Sequence, residues 1–324
     1  MMDVTGAGPA VPRRRADLHV HTCHSGINHN LAFLHSLDCY SRPVDVYRVA
    51  KARGMDYVAF TDHDSIGGAL EFLDAHPDAT DVIVGEEISC RFPDAPVEVH
   101  FGAYGMTEAL HRDVQPLRRN VHDVAAFLLG HGVFFALNHL FHFYRGQMPL
   151  DAYLRLLESV PALETRNGAM LPAHNTLIAR LRADAARARA RPLAVVAGSD
   201  AHTLRRVGTT WTAAPGESAA AFMAHVAAGR GVAEGAHGGT LAIAGDIYGV
   251  MRGYAKGLLG LGPAAPSGGR RVAGVAFTLG TLPFQFVPLV VAIVNKQQER
   301  VRLAALARTD KEVLQELSTL VADE

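Results

Sequence analysis

The chain reads as an α/β protein built on a mostly parallel sheet, closed or open, followed by a C-terminal extension of different texture. Three observations predict this. Short apolar, β-branched runs alternate with longer helical stretches, the pattern of repeated strand–helix–strand units. Histidines and carboxylates recur at the ends of those runs. After residue 235 the sequence turns Gly-rich ("GAHGGTLAIAGDIYG", "GLLGLGPAAPSGGRR") before an uncharged run and a charged terminal segment.

In chain order, strands are predicted near 16–21 ("ADLHVH"), 57–61 ("YVAFT"), 82–85 ("VIVG"), 97–103 ("VEVHFGA"), 133–138 ("VFFALN"), 161–165 ("PALET") and 193–198 ("PLAVVAG"), with a further short one at 209–213. Helices are predicted over "PVDVYRVAKARG", "IGGALEFLDAH", the long "TEALHRDVQPLRRNVHDVAAFLLGHG" and "PAHNTLIARLRADAARARA". The first opens on Pro43 and closes on Gly54, the usual punctuation of a helix.

Composition narrows the function classes. With 49% hydrophobic and 19% charged residues among 324, the chain has the content of a globular protein with a large core. Its 31 basic and 32 acidic residues leave a net charge of -1. The basic residues are scattered, so there is no strong nucleic-acid signal. Three cysteines with no CxxC suit neither a disulfide framework nor a zinc knuckle, and a reducing, cytoplasmic setting is the expectation. Residues 1–15 hold three arginines and no apolar run of the secretory kind, and are expected to be a disordered N-terminus.

Histidine is the outlier. Of 17, all but His225 and His237 lie between His19 and His202. Residues two apart on a strand share a face, so His19 and His21 point the same way, either as a surface pair or toward one cation. "FTDHDS" puts Asp62, His63 and Asp64 at the end of the second strand, where α/β enzymes build their sites and where Asp or Ser also caps helices. "GEEIS" offers two adjacent carboxylates. His100 lies within an alternating strand, Asn138 and His139 follow a strongly apolar one, and "GSDAH" closes the seventh with Asp200 and His202. Six successive strands thus end in a His or a carboxylate. Imidazole and carboxylate oxygen are the usual ligands of divalent transition metals, and eight of them exceed what one ion needs.

"DLHVHT", "GMDYVAFTDHDSIGGALE", "VGEEIS", "VEVHFGAYG", "ALNH" and "GSDAH" resemble, in order, the motifs of the PHP (polymerase and histidinol phosphatase) family over about residues 16–230. The resemblance implies a distorted seven-stranded (β/α)7 barrel, taken over 16–235, with a metal cluster at the carboxyl ends of its strands; the change of texture after residue 235 marks 236–324 as a helical extension. It implies that His19 and His21 hold one metal, that Glu87 rather than Glu86 bridges to a second, and that Asp200 contributes nearby. His63, His100, His139 and His202 supply the remaining ligands for two or three divalent ions (Mn, Zn or Fe). One slot departs: where relatives place an Asp for a third ion, this chain has Gly26, with His24 and His29 as local substitutes and His29 the better spaced.

The chemistry expected of such a centre is hydrolysis of a small phosphate mono- or diester by a metal-bridging hydroxide. Asp62 is cast as a partner that orients a ligating imidazole. Arg166 of "LETRNG" is the expected phosphate partner, with Arg145 and Arg205 as others. Two alternatives stand beside this: an amidohydrolase-like C–N hydrolase, which would want a carboxylated Lys on a strand, and a non-catalytic metal-binding regulatory module. In the extension, residues 272–294 are uncharged and long enough to cross a bilayer, but Pro283, Gln285 and Pro288 interrupt them. They read either as a membrane-associated segment or as a broken apolar hairpin against the barrel. A capping box at "TDKE" predicts a fresh helix from Thr309. Oligomeric state is not legible.

Overall fold

The structure, a computed structural model, describes residues 12–93, 97–142, 150–188, 193–264 and 266–320. Among the described residues, nine strands form one sheet: β1 (Arg14–Asp17), β2 (Tyr57–Phe60), β3 (Val82–Arg91), β4 (Glu98–Tyr104), β5 (Phe134–Asn138), β6 (Ala162–Asn167), β7 (Ala194–Gly198), β8 (Thr210–Ala214) and β9 (Val232–Gly235). Their order is β7-β6-β5-β4-β3-β2-β1-β8-β9. Arg14 and Arg15, expected in a disordered terminus, open β1 and pair with Ala214 and Ala213 of β8; residues 1–11 lie outside the described residues.

The expected parallel sheet is only half parallel. β1–β2, β2–β3, β5–β6 and β6–β7 pair parallel. β3–β4, β4–β5, β1–β8 and β8–β9 pair antiparallel. The physical reason is clearest at β3–β4, where the connection is too short for a crossover and the chain turns back as a hairpin. The sequence reading also missed β9, whose four residues carry little apolar pattern.

The sheet curls until its ends meet. Leu18 donates its N–H to Ala197 of β7 at 3.4 Å, and Val20 bridges to Ala201. Asp17 staples this seam: its carboxylate accepts from the Ser199 and Gly208 N–H groups at 2.8 and 2.7 Å. Burial raises the Asp17 pKa to about 6 in spite of those bonds. Ala16, Ala59, Ala136, Ala162, Ala194 and Ala214 come from six different strands yet share one buried cluster, which only a barrel interior permits. Gly198 allows the closest approach of the seam, since a Cβ there would stand 2.2 Å from His19 Cβ and 2.4 Å from its N.

Helices cover the outside. α1 (Pro43–Ala52) and α2 (Gly67–Ala75) bury Val46, Ala50, Ala69 and Phe72 against Val58 and Phe60. The predicted helix over 107–132 is two: α3 (Glu108–Val114) and α4 (Val121–Gly130). They are parted by a 3-10 turn carrying Pro116. Asn120 is extended there and accepts from the His122 N–H, starting α4 afresh. α5 (Leu150–Ser159), α6 (Pro172–Ala188) and α7 (Ala219–His225) complete the barrel.

The extension is α8 (Thr240–Leu258), α9 (Gly268–Gly280) and α10 (Val287–Leu320). α10 runs unbroken through Thr309 and Asp310, so the predicted new helix start is overturned; helix propagation costs less than a second nucleation. α8 is tied to the barrel by Thr203, which donates to Asp246 at 2.8 Å. α10 is keyed in by a buried ion pair. Lys296 Nζ meets Glu299 Oε2 at 2.6 Å and the Ala169 carbonyl at 2.7 Å, while Glu299 Oε1 accepts the Leu171 N–H at 2.8 Å. Among the described residues, no single helix is long and apolar enough to cross a membrane.

Candidate metal centre

Glu87 stands at the centre of the site. Strand alternation along β3 turns its side chain into the barrel mouth and sends Glu86 the other way, to His111 at 3.0 Å and Gln115 at 2.7 Å. Glu87 is fully buried. Its Oε2 lies 3.1 Å from His19 Nε2, 3.3 Å from His21 Nε2 and 3.1 Å from His63 Nδ1. Its Oε1 lies 3.2 Å from His100 Nδ1 and 3.0 Å from His139 Nε2. Asp200 closes the first side, with Oδ1 3.6 Å from His19 Nε2 and 3.3 Å from His21 Nε2. His202 Nδ1 is 3.6 Å from the same oxygen. All eight predicted residues therefore meet at one end of the barrel.

His19 Nε2, His21 Nε2, His63 Nδ1 and Glu87 Oε2 are buried and make no hydrogen bond, despite facing one another at these distances. Buried polar atoms are rarely left so. A cation between them satisfies all four, and imidazole nitrogen with carboxylate oxygen is the donor set that zinc, manganese or iron takes. Four overlapping triads, His19–His21–Glu87, His19–His139–Asp200, His63–Glu87–His100 and His21–His63–His202, each bring their ligand atoms within 4.8 Å.

Outer partners aim the rings. Glu164 Oε1 accepts from His19 Nδ1 at 2.8 Å, which turns Nε2 toward Glu87. Its Oε2 accepts from the His139 N–H and from Asn167 Nδ2, both at 2.9 Å. Glu98 holds His100 Nε2 at 3.1 Å. Asp62 acts on His21 through a relay: Ser25 Oγ is 3.0 Å from His21 Nδ1 and donates to Asp62 Oδ1 at 2.7 Å. Asp62 also accepts from the Thr22 N–H at 2.5 Å and the Thr22 hydroxyl at 2.8 Å. Because such partners fix ring orientation and ligand basicity, Glu164→Gln is expected to weaken metal binding about 10–100-fold with the fold unchanged. A chelator competition assay reads this, and an affinity within about twofold of wild type overturns it.

The charge balance is steep. Burial disfavours a charged His19, but Glu87, Asp200 and Glu164 outweigh it and raise its pKa well above the ordinary value. Burial likewise opposes ionised Glu87 and Asp200, yet the surrounding imidazoles hold both well below the usual carboxylate range. His21 and His63 are driven down, first by burial and then by neighbouring imidazoles. Backbone conformation is strained at the same place. Asp64, His139 and Asp200 all have positive φ (51°, 25° and 52°), a region non-glycine residues enter at a cost of about 1–3 kcal/mol.

Beside the slot that Gly26 leaves open, the structure brings in a carboxylate the sequence reading overlooked. Asp38 Oδ2 lies 2.8 Å from His202 Nε2 and 3.6 Å from His63 Nε2. His24, one expected substitute, turns away to Glu71 at 2.7 Å; the His29 side chain lies outside the described residues. Gly26 itself sits at φ 76°, which an aspartate would adopt only under strain.

Arg166 is not at the cluster, contrary to expectation. A bulge between Glu164 and Arg166 shifts the β6 register, so Glu164 and Asn167 face the histidine cluster while Arg166 donates to the Gly235 carbonyl at 2.6 Å. Arg205 is exposed beside Gly245 of α8, and Arg145 lies outside the described residues. Burial pushes the Cys23 thiol up to about 11.

A family model described as PHP-associated matches residues 179–230. An uncharacterized protein of Methanocaldococcus jannaschii is 38% identical over 75 residues, which are 23% of this chain and 43% of the relative; the chain thus matches less than half of that protein's length. One solved structure is a two-domain protein of Bacteroides vulgatus containing a predicted PHP-like metal-dependent phosphoesterase. It is 16% identical and covers 74% of this chain and 70% of its own, with a TM-score of 0.47. Another is an amidohydrolase from Chromobacterium violaceum, 17% identical over 60% of this chain and 89% of its own, with a TM-score of 0.45. The PHP-associated match spans the last motif, Asp200 and His202, which meets the earlier ones around Glu87.

Proposed function

We propose that this chain is a metal-dependent phosphoesterase acting on a small phosphate mono- or diester. The observation that carries the reading is the three-lobed donor set around Glu87: His19, His21 and Asp200 on one side, His100 and His139 on the second, His63, His202 and Asp38 on the third. When bound there, divalent cations supply Lewis-acid polarisation of a phosphate and water acidic enough to attack near neutral pH.

The chain's own residues do the positioning. Glu87 turns Oε2 to His19, His21 and His63 and Oε1 to His100 and His139, so it faces rings of all three lobes. Glu164, Glu98 and the Ser25–Asp62 relay hold three rings so that their other ring nitrogens face inward. The C–N hydrolase alternative is disfavoured by the placement of lysine. Lys51 is bound to Asp81 and Lys296 to Glu299, and among the described residues no Lys joins the cluster to serve as a carboxylated bridge.

The test is hydrolysis of p-nitrophenyl phosphate and bis(p-nitrophenyl) phosphate with added Mn(II). Turnover of either supports the reading; metal bound with neither hydrolysed favours the non-catalytic alternative. Asp38→Ala is expected to lose one equivalent of metal by elemental analysis while retaining the other lobes. Unchanged stoichiometry removes the third lobe from the proposal.

A further inference from the structure

α9 and α10 are joined by a short turn (Leu282–Phe284) and form an elbow bent by 55°. Residues 272–295 of this elbow carry no charge. Their apolar side chains are exposed in almost every direction. In α9 only Gly274 is buried, against Tyr254 and Leu258 of α8. In the first turns of α10 only positions 288 and 292 are buried, and Val291 and Ile293 remain 49% and 50% exposed. At the turn, Phe284 and Phe286 are 54% and 58% exposed.

A helix partnered by another protein shows one apolar stripe and one polar face. A helix that is apolar all round belongs in a core or in lipid. A second copy of this chain would cover one side of the elbow and leave the other in water, whereas an acyl phase covers every side. The flanks also define the depth. Arg270 and Arg271 are exposed at the start of α9, at the level where basic side chains meet lipid headgroups. At the other end Lys296 and Glu299 are locked into the barrel. Since α9 packs on α8 and α10 on the loop after β6, both ends of the elbow are fastened to one body. The segment therefore cannot thread through a bilayer; it can only dip into one leaflet.

We propose that the α9–α10 elbow is a monotopic lipid anchor that inserts into one leaflet and holds the metal barrel at a membrane surface.

The test is flotation of the full chain with phosphatidylcholine vesicles in 0.5 M NaCl, which screens headgroup attraction and leaves apolar insertion. Wild type is expected to float and the Phe284→Asp/Val290→Asp double variant to lose at least tenfold of that binding at unchanged metal content. Phe284→Trp supplies a readout that does not depend on the double variant folding. Its added fluorescence should be quenched by bromolipid, while the wild type's single Trp211, on β8, is not. A wild type that stays in solution, a double variant that floats equally, or an unquenched Trp at 284 each overturns the proposal. So does a discrete dimer in sedimentation that the double variant abolishes, with no flotation.

Discussion

Glu87→Gln is expected to lower the metal-stimulated turnover of an aryl phosphate by about 10³-fold, the size seen when a group acting on developing charge is removed. Five imidazoles approach this one carboxylate within 3.0 to 3.3 Å, so its two oxygens are common to all the lobes through which metals would be held. The amide keeps the shape and one acceptor but loses the charge that neutralises cations. Elemental analysis should show metal falling together with activity, because the amide lacks the negative charge that would offset a bound cation. Turnover within about tenfold of wild type, with metal retained, would remove Glu87 from the centre of the mechanism.

Lys296→Met is expected to cost about 3–5 kcal/mol of stability, the range for stripping one partner from a buried ion pair. Both members are 2% exposed, so the Glu299 carboxylate would be left without its cation in a seat that water does not reach. Folded domains have about 5–15 kcal/mol in total, and the loss should loosen α10 from the barrel before the sheet opens. Glu299→Gln placed on top of Lys296→Met should recover part of it, since a neutral amide can still accept the Leu171 N–H. Urea unfolding of the single and double variants measures both. A single-variant loss below about 1 kcal/mol would mean that the pair is wet.

Much of the site was legible because strand ends are legible. Asp200 and His202 follow the apolar run "LAVVAG", and His19 and His21, like Asp200 and His202, stand two apart. Glu87 was separable from Glu86 only through a resemblance, and the alternation along β3 agrees with that choice. Asp38 was invisible for a physical reason: it lies in irregular chain between a 3-10 turn and α1, where no periodicity aims a side chain. Glu164 was passed over for Arg166 because the bulge that swaps their faces leaves no trace in composition. Similarly, the hairpin geometry of β3–β4 follows from a short connection that reads like any other loop. The unbroken α10 shows a long helix overriding a local capping signal at Thr309.

The seam has a consequence for the chain's birth. Asp17 and His19 find their partners, Ser199 and Asp200, about 180 residues later. At a ribosome's pace of roughly 5–20 residues per second, the first histidines wait about 10–40 s for the second half of the cradle. The ion pair that seats the last helix arrives later still. A nascent chain that ends before His202 lacks part of the donor set, whereas one that has passed it carries every ligand before α10 is made.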